Sequence, residues 1–204
     1  LLLILAQNLF EAVRATVIPS LNDLIGTVKH LYKEPPKEIK DCLKDLNPHY
    51  ATHTLAYTEN CQRCVVAYEV RRRGYSANAK PYIGGKTDLL PYMDAHNGWP
   101  AVFREQIITN CSAPTPQKVQ ENIEFQMHLY GNHSRAIVKV NWHHRARGHL
   151  FMTENIDDII YFVDPQTGDD DARWYFRYID PNRVVIMRTD CVRLTGLAQK
   201  CCKF

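Results

Sequence analysis

Apolar positions recur along this chain in two rhythms, one helical and one extended. Over residues 1–33, Leu9, Val13, Val17, Leu21, Leu24 and Val28 recur at spacings of three and four. That spacing predicts an amphipathic helical arm, split at Pro19 and restarted at Ser20. Glu34-Pro35-Pro36-Lys37 reads as a linker, which sets the expected division: a helical arm over 1–36, or the end of an upstream helical domain, and one domain over 37–204. A short helix is expected over Ile39 to Leu46, closed by Asn47-Pro48, and Tyr50 to Glu59 is polar and loop-like. In the next stretch Cys61, Cys64, Val65 and Tyr68 share one helix face, while Val66, Ala67 and Val70 form a second. A helix apolar on two sides is expected to be central and buried. Asn60 stands at its N-cap position, Gly74 at C′, and Arg71 to Arg73 read as a solvated, dipole-matched C-terminal end.

After Gly74 the chain is rich in Gly, Pro and Asn up to Trp99-Pro100. Phe103 to Ile108 fits a short helix or a strand, and a helix opened by Thr115-Pro116 is expected over Gln117 to Tyr130. The rhythm then turns extended. Arg135 to Trp142, Gly148 to Met152, Ile159 to Asp164 and Val184 to Arg188 read as strands, with a hairpin turn over Asn155 to Asp158. The aromatic run Arg173 to Tyr178 fits either helix or strand, and Leu194 to Cys201 closes as a short helix. Helices first and an antiparallel sheet afterwards predict an α+β fold.

Composition narrows the class. The chain has 204 residues, 45% hydrophobic and 23% charged, with a formal net charge of +3. That size supports one proper core, and so small a charge implies no strong polyanion partner. No nucleic-acid motif is present, and no run of eighteen apolar residues predicts a membrane span. Leu1 to Leu5 lack a preceding basic region and a following cleavage site, so they do not read as a signal peptide; without an initiator Met the chain fits a fragment of a longer polypeptide. Seven cysteines in no regular framework predict free thiols in a reducing compartment. Cys61 and Cys64 have zinc-ligand spacing, but Cys111 and the adjacent Cys201 and Cys202 supply no matching second pair, so no metal or other cofactor is expected.

The candidate chemistry lies at the start of the central helix. A helix N-terminus favours the thiolate form of a cysteine placed there, which singles out Cys61. Cys64, one turn further in, is the alternative nucleophile and otherwise a core residue. His149 begins one strand and Asp164 ends its neighbour, so the two can meet across an antiparallel pair. His133, His143 and His144 are rival histidines; the latter two sit beside Arg145 and Arg147 in what reads as an exposed loop. Trp99 and Trp142 read as core or loop anchors.

Asn47-Pro48, Asn60-Cys61-Gln62-Arg63-Cys64-Val65-Val66-Ala67, Gly148-His149-Leu150-Phe151 and Val163-Asp164-Pro165-Gln166-Thr167-Gly168 occur in that order. Together they resemble the papain-fold toxin family of glutamine deamidase type, in particular the versions at the C-termini of phage minor head (capsid) proteins. The stretch from Arg188-Thr189-Asp190 through Leu197-Ala198-Gln199-Lys200-Cys201-Cys202 resembles the close of those phage proteins. The resemblance covers roughly residues 40–204. It implies a papain-like fold, its central helix packed on the antiparallel sheet, and a triad of nucleophile Cys61, base His149 and orienting Asp164, with Gln166 and Asn60 in support. The implied activity is cysteine-dependent deamidation of protein glutamine side chains; the alternatives are a papain-like cysteine protease and a non-catalytic virion component. The implied partners are a protein substrate and phage capsid or portal proteins, and the implied setting is the bacterial cytoplasm or the phage virion.

Overall fold

The computed structural model describes residues 37–84, 98–145 and 147–204. The helical arm expected over 1–36 lies outside these residues, as does most of the Gly- and Pro-rich stretch before Trp99. Five helices are described: α1 (Ile39–Leu43), α2 (Leu55–Thr58), α3 (Cys61–Arg72), α4 (Pro116–Tyr130) and α5 (Ala198–Cys201). The strands are β1 (Asn78–Ala79), β2 (Ile107–Asn110), β3 (Arg135–Asn141), β4 (Gly148–Ile156), β5 (Ile159–Val163), β6 (Val185–Arg188) and β7 (Cys202–Lys203). Five strands form one antiparallel sheet in the order β2-β6-β3-β4-β5, and β1 pairs with β7. The fold is therefore α+β with antiparallel sheets.

Period-two alternation divides the core between the two faces of the large sheet. Ile137, Leu150, Met152 and Met187 point to one face, where Cys64, Val65, Val66, Tyr68 and Val70 of α3 cover them. Ala136, Val138, Val140, Phe151 and Ile186 point to the other, against Val119, Ile123 and Met127 of α4 and the 3-10 turn Ala172–Arg177. Every residue from Cys61 to Val70 is buried, as an apolar pattern on two sides of the helix requires. At the far end of α3, Gly74 has φ +89°, its N–H donates to Arg71 O, and Tyr75 N–H donates to Val70 O. That is a Schellman closure with glycine at C′.

Three local expectations are corrected. Strand β4 runs four residues past Met152, because Thr153, Glu154 and Asn155 are buried, and Asn155 and Ile156, expected in the turn, belong to the strand. Glu154 is paired with Arg72 at 2.8 Å, and Asn155 donates to Met127 O. The turn itself is the two residues Asp157 and Asp158, with φ +52° and +63°, the sign pattern of a type I′ hairpin. Among the described residues Asp158 makes no side-chain hydrogen bond or ion pair, so Asp158→Gly is expected to raise stability by roughly 0.5–1 kcal/mol, read as a higher Tm in thermal melts.

Second, Arg71, Arg72 and Arg73 are not a solvated helix end. Arg71 donates to the carbonyls of Ala77 and Cys42, Arg72 forks onto Glu154, and Arg73 bonds Glu69 and the carbonyls of Thr189 and Val192. The buried acids and free carbonyls around the helix end draw the guanidinium groups inward. Third, the Tyr50 to Glu59 stretch holds a 3-10 turn (Tyr50–Thr52) and α2, so it is not wholly loop.

Candidate active site

The N-terminus of α3 and the adjacent ends of β3, β4 and β5 meet at a cleft of about 1020 Å³. Cys61, His149, Asp164 and Gln166 all line it. His149 is the second residue of β4. In the β4–β5 register Met152 faces Val163, so Asp164 stands diagonally from His149 on the same face, within reach of its ring. His149 Nε2 and Asp164 Oδ2 are 3.0 Å apart, and Cys61 lies beside the His149 side chain, where it favours the charged imidazole. With Nε2 committed to Asp164, the ring nitrogen left for Cys61 is Nδ1. The structure thus brings these three side chains into one line. Cys64 is fully buried and does not line the cleft; burial, with Asp164 and Cys61 nearby, holds its thiol well above the ordinary range. His133, His143 and His144 lie in exposed segments, the latter two stacked on each other at 3.9 Å.

Asp164 is wholly buried and saturated with donors. His149 and Tyr175 Oη bond Oδ2, while the Gln166 backbone N–H donates to Oδ1 at 2.8 Å. Burial works against its ionised form, but the imidazolium and these donors outweigh it, so its carboxyl stays below the usual range. Burial likewise opposes charge on His149, yet the Asp164 carboxylate, their hydrogen bond and Cys61 push the imidazole up to about 10. The ring is also clamped: Trp142 stacks on it at 5.6 Å, and Tyr175 meets it edge-on at 5.5 Å. A π-face over an imidazolium favours the charged form.

The start of α3 is held in an unexpected way. Asn60 is the residue before the helix and its carbonyl accepts from Arg63 N and Cys64 N, but its side chain caps nothing. Instead the Asn60 amide pairs with the Asn47 amide (3.0 and 3.3 Å), donates to Lys80 O and accepts from Gln166 Nε2 at 3.2 Å. Asn47 also donates to the carbonyls of Tyr57 and Gln166, both at 2.9 Å. Three buried amides therefore tie the helix start to the Asp164-Pro165-Gln166 loop, fixing the distance between the thiol and the carboxylate. Gln166 acts on Asp164 through its backbone and on the helix through its side chain; it does not contact His149 in this network.

Tyr175, Trp142 and Asn47 are the site residues that sequence reasoning left without a role. From sequence, Trp142 reads only as a core or loop anchor, not as a partner of His149. Tyr175 sat in an aromatic run of ambiguous structure, and Asn47 appeared only as part of a motif. Asp164→Asn is expected to lower the His149 pKa well below about 10, because burial remains and the carboxylate, the largest influence that raises it, does not. An NMR titration of the imidazole measures this, and a His149 that still titrates near 10 would contradict it.

A thiol beside an imidazole that is hydrogen-bonded to a buried carboxylate, all three lining one cleft, is an arrangement suited to cysteine-hydrolase chemistry. The family described as papain fold toxin 1, glutamine deamidase, matches residues 59–169, more than half of the chain. The chain belongs to this family. The matched segment holds Asn60, Cys61, His149, Asp164 and Gln166, while Asn47 and Tyr175 fall outside it. No curated protein and no solved structure matches the chain.

Proposed function

We propose that the chain deamidates glutamine side chains of proteins, with Cys61 as nucleophile, His149 as acid and base, and Asp164 as the group that orients His149. The observation that carries this reading is Cys61, His149 and Asp164 lining one open cleft, with Asp164 hydrogen-bonded to His149 and Cys61 beside the imidazole, in a chain of glutamine deamidase family. Cys61 gives its proton to His149 Nδ1, and the thiolate attacks the carboxamide carbon. The first two N–H groups of α3, those of Cys61 and Gln62, have no intrahelical acceptor and suit the oxyanion that forms. His149 returns the proton to the nitrogen, the C–N bond breaks and ammonia leaves a thioester on Cys61. Water then adds to the thioester, His149 taking its proton, and the released thiolate leaves glutamate in place of glutamine.

A peptide bond presents the same carbonyl chemistry, so the products are the test. Incubation with glutamine-containing peptides is expected to release ammonia and to change each peptide's mass by the exchange of NH2 for OH, with no new termini. New termini without ammonia would make the protein a protease instead. The closing stretch Arg188 to Cys202, which resembles the end of phage minor head proteins, favours action in a phage-associated setting on bacterial targets or on head proteins. Copurification of this activity with intact virions would support that setting.

A further inference from the structure

The cleft is electrostatically lopsided. Four cationic side chains line it, Lys139, Arg145, Arg147 and Arg183, against two acids, Glu59 and Asp164. Both acids are already engaged: Glu59 with Arg147, and the wholly buried Asp164 with His149. Lys139, Arg145 and Arg183 have no carboxylate partner among the described residues. A surface under no selection for charge mixes the two signs, whereas like charges gathered along one cleft raise its potential and concentrate a counter-charge.

The cations also occupy one side. In the sheet order β6-β3-β4-β5, Asp164 follows β5 and His149 lies on β4. Lys139 is on β3, Arg183 lies two residues before Val185, the β6 partner of Lys139, and Arg145 and Arg147 lie on the β3–β4 connection. All four therefore stand on the side of His149 away from Asp164. Neighbouring strands are about 4.8 Å apart, so Lys139 is roughly one strand and Arg183 roughly two strands from His149. An extended peptide advances about 3.3 Å per residue, which sets these cations against side chains within about four residues of the one held at Cys61.

We propose that this arm of the cleft selects its substrate by charge: the target glutamine is followed, on one side and within about four residues, by aspartate or glutamate side chains that pair with Lys139 and Arg183. The proposal rests on the amidohydrolase reading of the same cleft for the identity of the reacting residue, but not for the pairing of charges. An acidic peptide fits better than a nucleic acid strand. The whole chain carries only +3, and among the described residues the aromatics nearest these cations, Trp142 and Tyr175, are packed on His149 rather than set out as a ladder for successive bases.

The test measures binding and turnover separately. Fluorescent peptides share one central glutamine and carry on one side either Asp and Glu, or Ser, or Lys. Binding to the Cys61→Ala protein is followed by anisotropy, and ammonia release by the unaltered protein. The acidic peptide is expected to bind roughly tenfold tighter than the neutral one at low salt, the gap closing several-fold at about 0.5 M salt. Lys139→Ser with Arg183→Ser should abolish the preference, and Lys139→Glu with Arg183→Glu should turn it toward the Lys peptide. Because Arg183 is exposed, the single Arg183→Ser change provides a variant whose folding is not at issue, with a partial loss expected.

Equal binding of acidic and neutral peptides, absence of binding by any peptide, or a preference that survives the double substitution would overturn the proposal. So would displacement of the acidic peptide by a mixed-sequence oligonucleotide of equal charge at lower concentration. Acid-selective binding without ammonia release from any peptide upholds this charge selection and sinks the deamidase reading. Ammonia release at equal kcat/KM from acidic and neutral peptides does the reverse.

Discussion

Cys61→Ala is expected to lower kcat/KM for glutamine deamidation by at least about 10⁴, while Cys64→Ala leaves it within a few-fold. The two thiols sit one helical turn apart and differ in every respect that matters for attack. Cys61 lines the cleft beside His149; Cys64 is fully buried among Val65, Tyr68 and the sheet, with its thiol held in the protonated form by burial. Cys64→Ala should instead cost about 1 kcal/mol of stability, from the small cavity it leaves. Ammonia release measures the first effect and urea unfolding the second. Rapid alkylation should mark Cys61 in the intact protein and vanish from Cys61→Ala, as read by intact mass. An active Cys61→Ala beside an inactive Cys64→Ala would reverse the assignment.

Residues that act through local pattern were the legible ones. Helix α3 announces itself by a doubled apolar face, and its end by Gly74, because only glycine readily takes φ +89°. The hairpin that places Asp164 near His149 follows from two β-rich runs with a turn between them. What stayed hidden depends on partners distant in sequence. Asn155 looks like a turn residue and Glu154 falls between the expected strand and turn, until Arg72 pairs with Glu154 and the Asn155 amide donates to Met127 O inside the core. Asn60 looks like a helix cap, but Asn47 and Gln166, 13 and 106 residues away, compete for its amide and win. Tyr175 gave no local sign, since its hydroxyl finds Asp164 only when the 3-10 turn Ala172–Arg177 packs under β4 and β5.

The same division between local pattern and distant pairing explains why one end of α3 can be spared for chemistry. The helix is anchored at its other end, where Glu69 is completely buried and bonded to Arg73 at 2.8 Å, to Arg135 at 2.9 Å and to the Thr189 hydroxyl at 3.0 Å. Burial opposes its charge, but the Arg135 and Arg73 guanidinium groups outweigh that and hold the carboxyl down at about 2. Its folded value lies below the unfolded value of 4.5, so the stabilisation it contributes is complete above pH 4.5 and is lost as pH falls toward 2. The difference corresponds to about 3 kcal/mol. Glu69→Gln keeps the shape and removes the charge, leaving Arg135 and Arg73 facing a neutral amide. It is expected to cost about 3–5 kcal/mol at pH 7, the usual result of breaking one side of a buried ion pair. It should also flatten the loss of stability between pH 4.5 and 2 relative to the unaltered protein. Urea unfolding at pH 7 and across that acid range gives both quantities; a cost below about 1 kcal/mol would mean that water or a shifted arginine replaces the pair. At temperatures where the variant stays folded, its kcat should be nearly unchanged, because the Asn47–Asn60–Gln166 amides position Cys61 independently of this anchor.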